Sequence, residues 1–199
     1  MTGSTTPQRR PGGRSARVRE AVAEAALEQL LSVGYQGMTL RGVAQAAGVA
    51  ETTVYRRWPT TSHLTAAALL RLASRDNPVP DTGSLASDLR SLLSQIVALL
   101  NRPEVIRAVR SAAAIDGDAP EVVAAKDAFF DHRFQAAASI VERAVARGEI
   151  PPGTDPDFLI EALVAPAYLR ALLLNRPLDE RLVDECVTLA LATCRQPSS

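Results

Sequence analysis

The stretch Thr39–Trp58, TLRGVAQAAGVAETTVYRRW, restricts the fold more than any other part of the chain. Thr39 can cap a helix, its hydroxyl accepting an orphan N–H of the first turn. Leu40, Val43, Ala44 and Ala47 then fall at i, i+3, i+4 and i+7, an apolar stripe on a short helix. Gly48 supplies the freedom to take positive φ that a tight turn between helices needs. Val49 returns to the core. Glu51 to Arg57 reads as a second short helix offering Thr52, Thr53, Tyr55, Arg56 and Arg57 outward. Two short helices joined by a glycine-containing turn, the second rich in hydrogen-bonding and cationic side chains, form a helix-turn-helix pattern, which implies DNA reading.

A net charge of zero would by itself argue against nucleic acid, but the distribution argues for it. Residues 1–60 carry eight arginines against four glutamates, a net of +4, leaving −4 for the remainder. Five of those arginines (Arg9, Arg10, Arg14, Arg17 and Arg19) lie in residues 1–19, with no acid among them. Such an arm supplies sequence-independent attraction to phosphates. No apolar run reaches the roughly 18 residues a membrane span needs. The start of the chain lacks the apolar segment of a secretory signal, so the expected compartment is the cytoplasm. Cys186 and Cys194 lie eight residues apart on one predicted helix. That is roughly 12 Å along the axis, too far for a disulfide within the chain, so packed, reduced thiols are expected.

The rest of the chain reads as helix after helix. Residues 1–14 form a basic arm expected to be disordered, rich in Pro, Gly, Ser and Thr. A first helix from Ser15 to about Ser32 buries Val18, Val22, Ala26 and Leu30, with Gly34 just past its end. A fourth helix starts at Thr60 or Thr61 and ends near Arg75, before the break DNPVPDTG. Leu85, Leu89, Leu92, Leu93, Ile96, Val97 and Leu100 mark the fifth, and Pro103 opens the sixth, which runs to about Ala114. After the break IDGDAP, a long seventh helix ending at Arg147 carries Val122, Phe129, Phe130, Phe134, Ile140, Val141 and Val145. The eighth begins at Asp155-Pro156-Asp157, is apolar nearly all round, and should bend at Pro166. The ninth, about Asp179 to Cys194, presents Leu182, Val183, Cys186, Val187, Ala190 and Leu191. No strand-like alternation competes. The expected fold is all-α: an N-terminal three-helix helix-turn-helix domain over 15–60 and a helical domain over 61–199, about nine helices in total, with the fourth helix joining the two.

Gly34-Tyr35, TLRGVAQAAGV, TTVYRRWPT and Leu64 together resemble the DNA-binding domain of TetR-family transcriptional regulators. The match is close over about residues 15–70. The helices that follow are similar, less specifically, to that family's ligand-binding and dimerisation domain. The resemblance implies a homodimeric repressor released from DNA by a small-molecule effector; a two-fold dimer would meet a palindromic operator in double-stranded DNA, and no cofactor is expected. It implies phosphate contacts from Thr39, Tyr55 and Arg57, and base-edge contacts from Glu51, Thr52 and Thr53, with Arg56 a further candidate. Phosphate contacts set register while short polar side chains reach base edges. Glu51 can accept from cytosine N4 or serve only as a first-turn acid against the helix dipole. Trp58 matches an aromatic position of the family and is assigned to the core. Three positions depart from the pattern. Ala50 stands where a capping serine is common, and Thr61 stands where a lysine is usual. Gly42 replaces a polar residue, weakening the second helix by roughly 1 kcal/mol.

Two other classes compete with this reading. An enzyme needs a nucleophile with a base, or a metal cluster; His63 and His132 lie far apart, no phosphate loop is present, and Cys/His spacing is absent. A helical protein-interaction adaptor accounts for the C-terminal helices but leaves TTVYRR and the arginine arm unexplained. For the effector pocket, the candidates are Gln95, Arg110, Phe129, Phe130, Arg133 and Tyr168; His132, in FFDHRF, either lines the pocket or sits exposed. The Phe cluster suits an aromatic, hydrophobic molecule. The two broad apolar helices at the C-terminus, including the Leu182–Leu191 stripe, are expected to pair with their copies in a four-helix interface about a two-fold axis.

Overall fold

Side-chain caps set where most of the helices begin. Residues 13–113 and 120–194 are described by the computed structural model. They form α1 (Gly13–Gly37), α2 (Leu40–Ala46), α3 (Glu51–Arg57), α4 (Thr61–Asp76), α5 (Leu85–Leu100), α6 (Pro103–Ala113), α7 (Pro120–Ala146), α8 (Pro156–Leu169) and α9 (Glu180–Thr193). No strand occurs among the described residues. The arm with Arg9 and Arg10, the break after α6, and the side chains of Arg14 and Val122 lie outside them. Thr39, Thr60, Ser84, Asp155 and Asp179 each accept a backbone N–H of the turn they open. α3 is the exception. Ala50 gives it no side-chain cap, and it relies on Glu51 in its first turn and Arg56 and Arg57 in its last to complement the dipole. No helix among the described residues is long and apolar enough to cross a membrane.

Two details differ from the sequence reading for physical reasons. Gly34 takes φ 74° and breaks α1 as foreseen, but a further turn to Gly37 follows. α8 runs through Pro166 to Leu169 and then widens into a π-helical turn, Arg170–Leu174, one turn later than the expected bend. Asn175, left-handed at φ 48°, donates its N–H to Arg170 O. That leaves Ala171 O open for an outside donor.

The interior divides into two apolar clusters. One gathers Val22, Ala26, Leu27 and Leu30 of α1 with Val43, Val54, Trp58, Leu64, Ala68 and Leu72 of the next helices. Val105 and Ala108 of α6 are buried in this same cluster. The other is built on α5, α7, α8 and α9. In it the ninth-helix stripe is already consumed: Leu182, Val183, Cys186, Val187 and Ala190 are buried against their own chain. The expectation that this stripe faces a second copy is therefore corrected. The large apolar side chains left outward on α8, the π turn after it and α9 are Phe158, Leu169, Leu173, Leu174 and Leu189.

Candidate nucleic-acid interface and ligand cavity

The head is held in shape from α1 outward. Tyr35 Oη meets Ser62 Oγ of α4 at 3.1 Å, and Thr60 Oγ1 meets His63 Nδ1 at 2.8 Å, so His63 belongs to the cap of α4. Thr39 Oγ1 accepts from Gly42 N at 3.0 Å. A Cβ on Gly42 would lie 2.8 Å from Gln29 Nε2 and 2.9 Å from Thr39 Oγ1. The glycine is thus not merely a weak helix residue. Its bare backbone lets α2 start against α1 without displacing the cap. Gly48 turns the chain at φ 65°, and Val49 N donates back to Ala44 O at 3.0 Å, closing the turn between α2 and α3.

This frame presents one face of α3. Val54 is fully buried and Trp58 nearly so, anchoring the helix. Glu51, Thr52, Tyr55, Arg56 and Arg57 are exposed, Thr53 is half-buried, and Thr39 is exposed at the start of α2. Glu51 pairs with Arg41 of α2 at 3.3 Å, so its carboxylate already has a partner on the exposed face. The Arg57 guanidinium lies 5.6 Å from the centre of the Trp58 ring and donates to Ser15 Oγ at 3.2 Å. The side chain expected to hold a phosphate is therefore oriented by both an aromatic face and the start of α1.

Behind the head lies a cavity of about 470 Å³, walled by α4, α5, α6, α7 and α8. Its lining is mostly apolar, including Leu72, Leu92, Ile96, Val109, Phe134 and Val164. Four of the six candidates from the sequence meet there: Phe129, Phe130, Arg133 and Tyr168. The two rings stack edge to face at 5.2 Å, and Phe130, half exposed, sits at the mouth with Glu161. Burial lowers the Arg133 guanidinium from its ordinary value and raises the Tyr168 phenol.

The other candidates go elsewhere. Gln95 Nε2 donates to Ser91 Oγ one turn back on α5, and the residue is not part of the lining. Arg110 leaves the cavity to donate to Ala171 O at 2.6 Å and to Asn175 Oδ1 at 3.0 Å. It satisfies the carbonyl that the wide π turn left open, a cation at a helix C-terminus. His132 is exposed on the outer face of α7 and does not line the cavity. Asn77, which sequence reasoning passed over as part of a turn, is buried in the lining as the C-cap of α4.

Head and cavity are joined twice. α4 spans both, and α6 buries Val105 and Ala108 in the head while Val105 and Val109 line the cavity. An ion-pair chain follows the same joint. Glu24 of α1 pairs with Arg71 and Arg75 of α4, and Asp76 pairs with Arg75 at 2.7 Å and with Arg102 at 2.7 Å. Arg102 continues to Glu104 of α6 at 3.0 Å. These groups are largely solvated, so each pair contributes little energy and mainly fixes geometry. Cys186 and Cys194 are both buried and free, and burial raises both thiols.

Known proteins share this arrangement. A family model described as bacterial regulatory proteins, tetR family, matches residues 22–68. Another, the tetracyclin repressor-like C-terminal domain, matches residues 79–190. The HTH-type transcriptional regulator AqdR of Rhodococcus erythropolis is 30% identical over 179 residues, covering 90% of this chain and 86% of that one. The DNA-binding transcriptional repressor TetR of Mycobacteroides abscessus is 32% identical over 183 residues, 86% of this chain and 92% of its own. The crystal structure of the TetR family regulator SCO0332 superposes with a TM-score of 0.79 at 27% identity, covering 88% of this chain and 97% of that one. With a helix-turn-helix held outward on a shared head and matching domains on both sides of the joint, the chain belongs to the TetR family of DNA-binding transcriptional regulators.

Proposed function

We propose that this regulator is a cytoplasmic homodimeric repressor that leaves its operator when a small molecule with a large hydrophobic part fills the cavity. The observation that carries the reading is α6: the same helix is buried in the head through Val105 and Ala108 and lines the cavity through Val109. A ligand that favours one placement of α6 and α4 over another shifts the head through differential affinity for the two states. Thr39, Tyr55 and Arg57 hold backbone phosphates, while Glu51, Thr52, Thr53 and Arg56 face base edges. The outward residues of α8, the π turn after it and α9, Phe158, Leu169, Leu173, Leu174 and Leu189, supply the contact between copies. A two-fold pair places its recognition helices roughly 34–36 Å apart, or a little farther, to meet a palindrome. Footprinting of the purified protein on the DNA flanking its own gene identifies the protected site, and a compound screen then reads release. A protected site that is not two-fold symmetric, or complexes that no cavity-binding compound dissociates, would overturn the reading.

A further inference from the structure

The polar side of the cavity is unbalanced in a way that points to a class of ligand. Arg133 reaches it, half-buried, from the middle of α7 and takes part in no ion pair among the described residues; burial lowers its guanidinium, and the Tyr168 phenol acts the other way. Its Nη2 donates to the backbone carbonyl of Asn77 at 3.2 Å. Asn77 is itself 4% exposed, and its Oδ1 is buried without a hydrogen-bond partner. The Tyr168 phenol borders the same corner. Glu161, the acid in the lining, is exposed at the rim.

A half-buried guanidinium without a counter-charge is costly, and its planar fork matches a carboxylate or similar delocalised anion. Oδ1 of Asn77 adds an acceptor that only a donor can satisfy. Apart from Glu161 at the rim, the remaining wall is hydrocarbon. Asn77 is also the C-cap of α4, donating its own N–H to Ala73 O at 2.9 Å. The cation that would meet a ligand is therefore already bonded to the end of the helix that carries the head.

We propose that the cavity takes hydrophobic organic anions, whose acidic group engages the Arg133 guanidinium beside Asn77 and Tyr168, and that α4 registers this through the Arg133–Asn77 bond. The proposal rests on the ligand-responsive reading above and narrows it. The acid group competes with the Asn77 carbonyl for the guanidinium. Occupancy thus loosens the C-terminal anchor of α4, while a hydroxyl or N–H beside the acid gains the Asn77 Oδ1 acceptor. A neutral apolar molecule of equal size fills the same hydrocarbon but leaves the latch closed.

Matched pairs test this on the full-length protein: decanoate against 1-decanol, and 2-naphthoate against methyl 2-naphthoate, measured by calorimetry on wild type, Arg133→Gln and Arg133→Lys. In wild type each anion binds at least about tenfold tighter than its neutral partner, the worth of one charge-assisted hydrogen bond. Arg133→Gln abolishes that preference while still binding 1-decanol, which also shows that the variant is folded; Arg133→Lys keeps part of it. Amide exchange then reads the latch: decanoate speeds exchange over residues 72–77 in wild type, and Arg133→Gln shows the faster exchange without ligand. Equal binding of anion and neutral partner, a preference that survives in Arg133→Gln, or no binding by either pair would overturn the proposal. Operator release by neutral compounds alone would sink the anion site and leave the repressor reading standing. Anion binding at Arg133 with no effect on DNA would do the reverse.

Discussion

Substitutions at two leucines, nine residues apart along the chain, should separate folding from assembly. Leu182 on α9 is 1% exposed and Leu173 on the π turn is 76% exposed. Truncating a fully buried leucine costs the transfer of its methyl and methylene groups plus a residual cavity, about 3 kcal/mol. At about 2–4 °C per kcal/mol for a chain of this size, Leu182→Ala should lower the melting temperature by about 6–12 °C. Leu173→Asp should cost the isolated protomer no more than about 0.5 kcal/mol. In a two-fold interface the new carboxylate enters twice. At about 2 kcal/mol for each unpaired buried group, dimerisation weakens roughly a thousandfold. Sedimentation equilibrium and circular-dichroism melts over a range of protein concentrations read both effects. Wild-type melting should rise with concentration, by mass action, and that of Leu173→Asp should not. A Leu182→Ala protein that melts with wild type would refute the assignment of this stripe to the intrachain core. A Leu173→Asp protein as dimeric as wild type would refute the α8–α9 contact.

On an identified operator, Arg57→Ala should weaken binding to all sequences and lower the salt slope by about 1, whereas Glu51→Ala should change base preference at one position; filter binding across a salt series and a randomised half-site distinguishes them. The Asp76 carboxyl is held below its ordinary value of 3.8, first by its hydrogen bond from Arg75 and then by Arg102. A depressed acid stabilises the fold above its unfolded value and loses that contribution as pH falls through the folded value. Asp76→Asn should therefore be less stable than wild type at neutral pH, the gap closing below about pH 4, as urea titrations will show. Because burial raises both thiols, operator affinity should be unchanged by peroxide in wild type and in the Cys186→Ser, Cys194→Ser double variant alike; a peroxide effect confined to wild type would contradict this.

Local chemistry made the helices legible. Thr39, Asp155 and Asp179 announce helix starts wherever they stand, and Gly34 and Gly48 announce positive φ. The exposed face of α3 was legible for the same reason, since Val54 and Trp58 fix which way a seven-residue helix must turn. Contacts between distant elements were not. Arg110 looks the same in sequence whether it faces a ligand or a carbonyl, and only the π turn beyond Pro166 created the carbonyl that claims it. Gly42 reads as a helix weakness until the side-chain end of Gln29, thirteen residues earlier, is seen beside the space a Cβ would take. The α9 stripe has the amphipathic pattern of an interface, but the pattern says only that something covers it. α5 and α8 of the same chain do so. Asn77 was hidden among turn formers, because nothing in DNPVPDTG distinguishes the residue that folds inward.

The slot that Val105 and Ala108 fill has a consequence for how such regulators diversify. The break Asp76–Gly83 looks like a seam along which one head could be exchanged for another. A transplanted head would nonetheless arrive with part of its α1 core facing a gap unless its new body brought an α6 with a branched and a small side chain at the right spacing. Operator preference and effector preference can therefore drift separately by point substitution, on α3 and in the cavity, but recombination must carry them across a shared fitting. Lineages that shuffle whole heads should show paired changes at positions 105 and 108 with those of α1, and chimaeras made without them should lose stability before they lose any DNA contact.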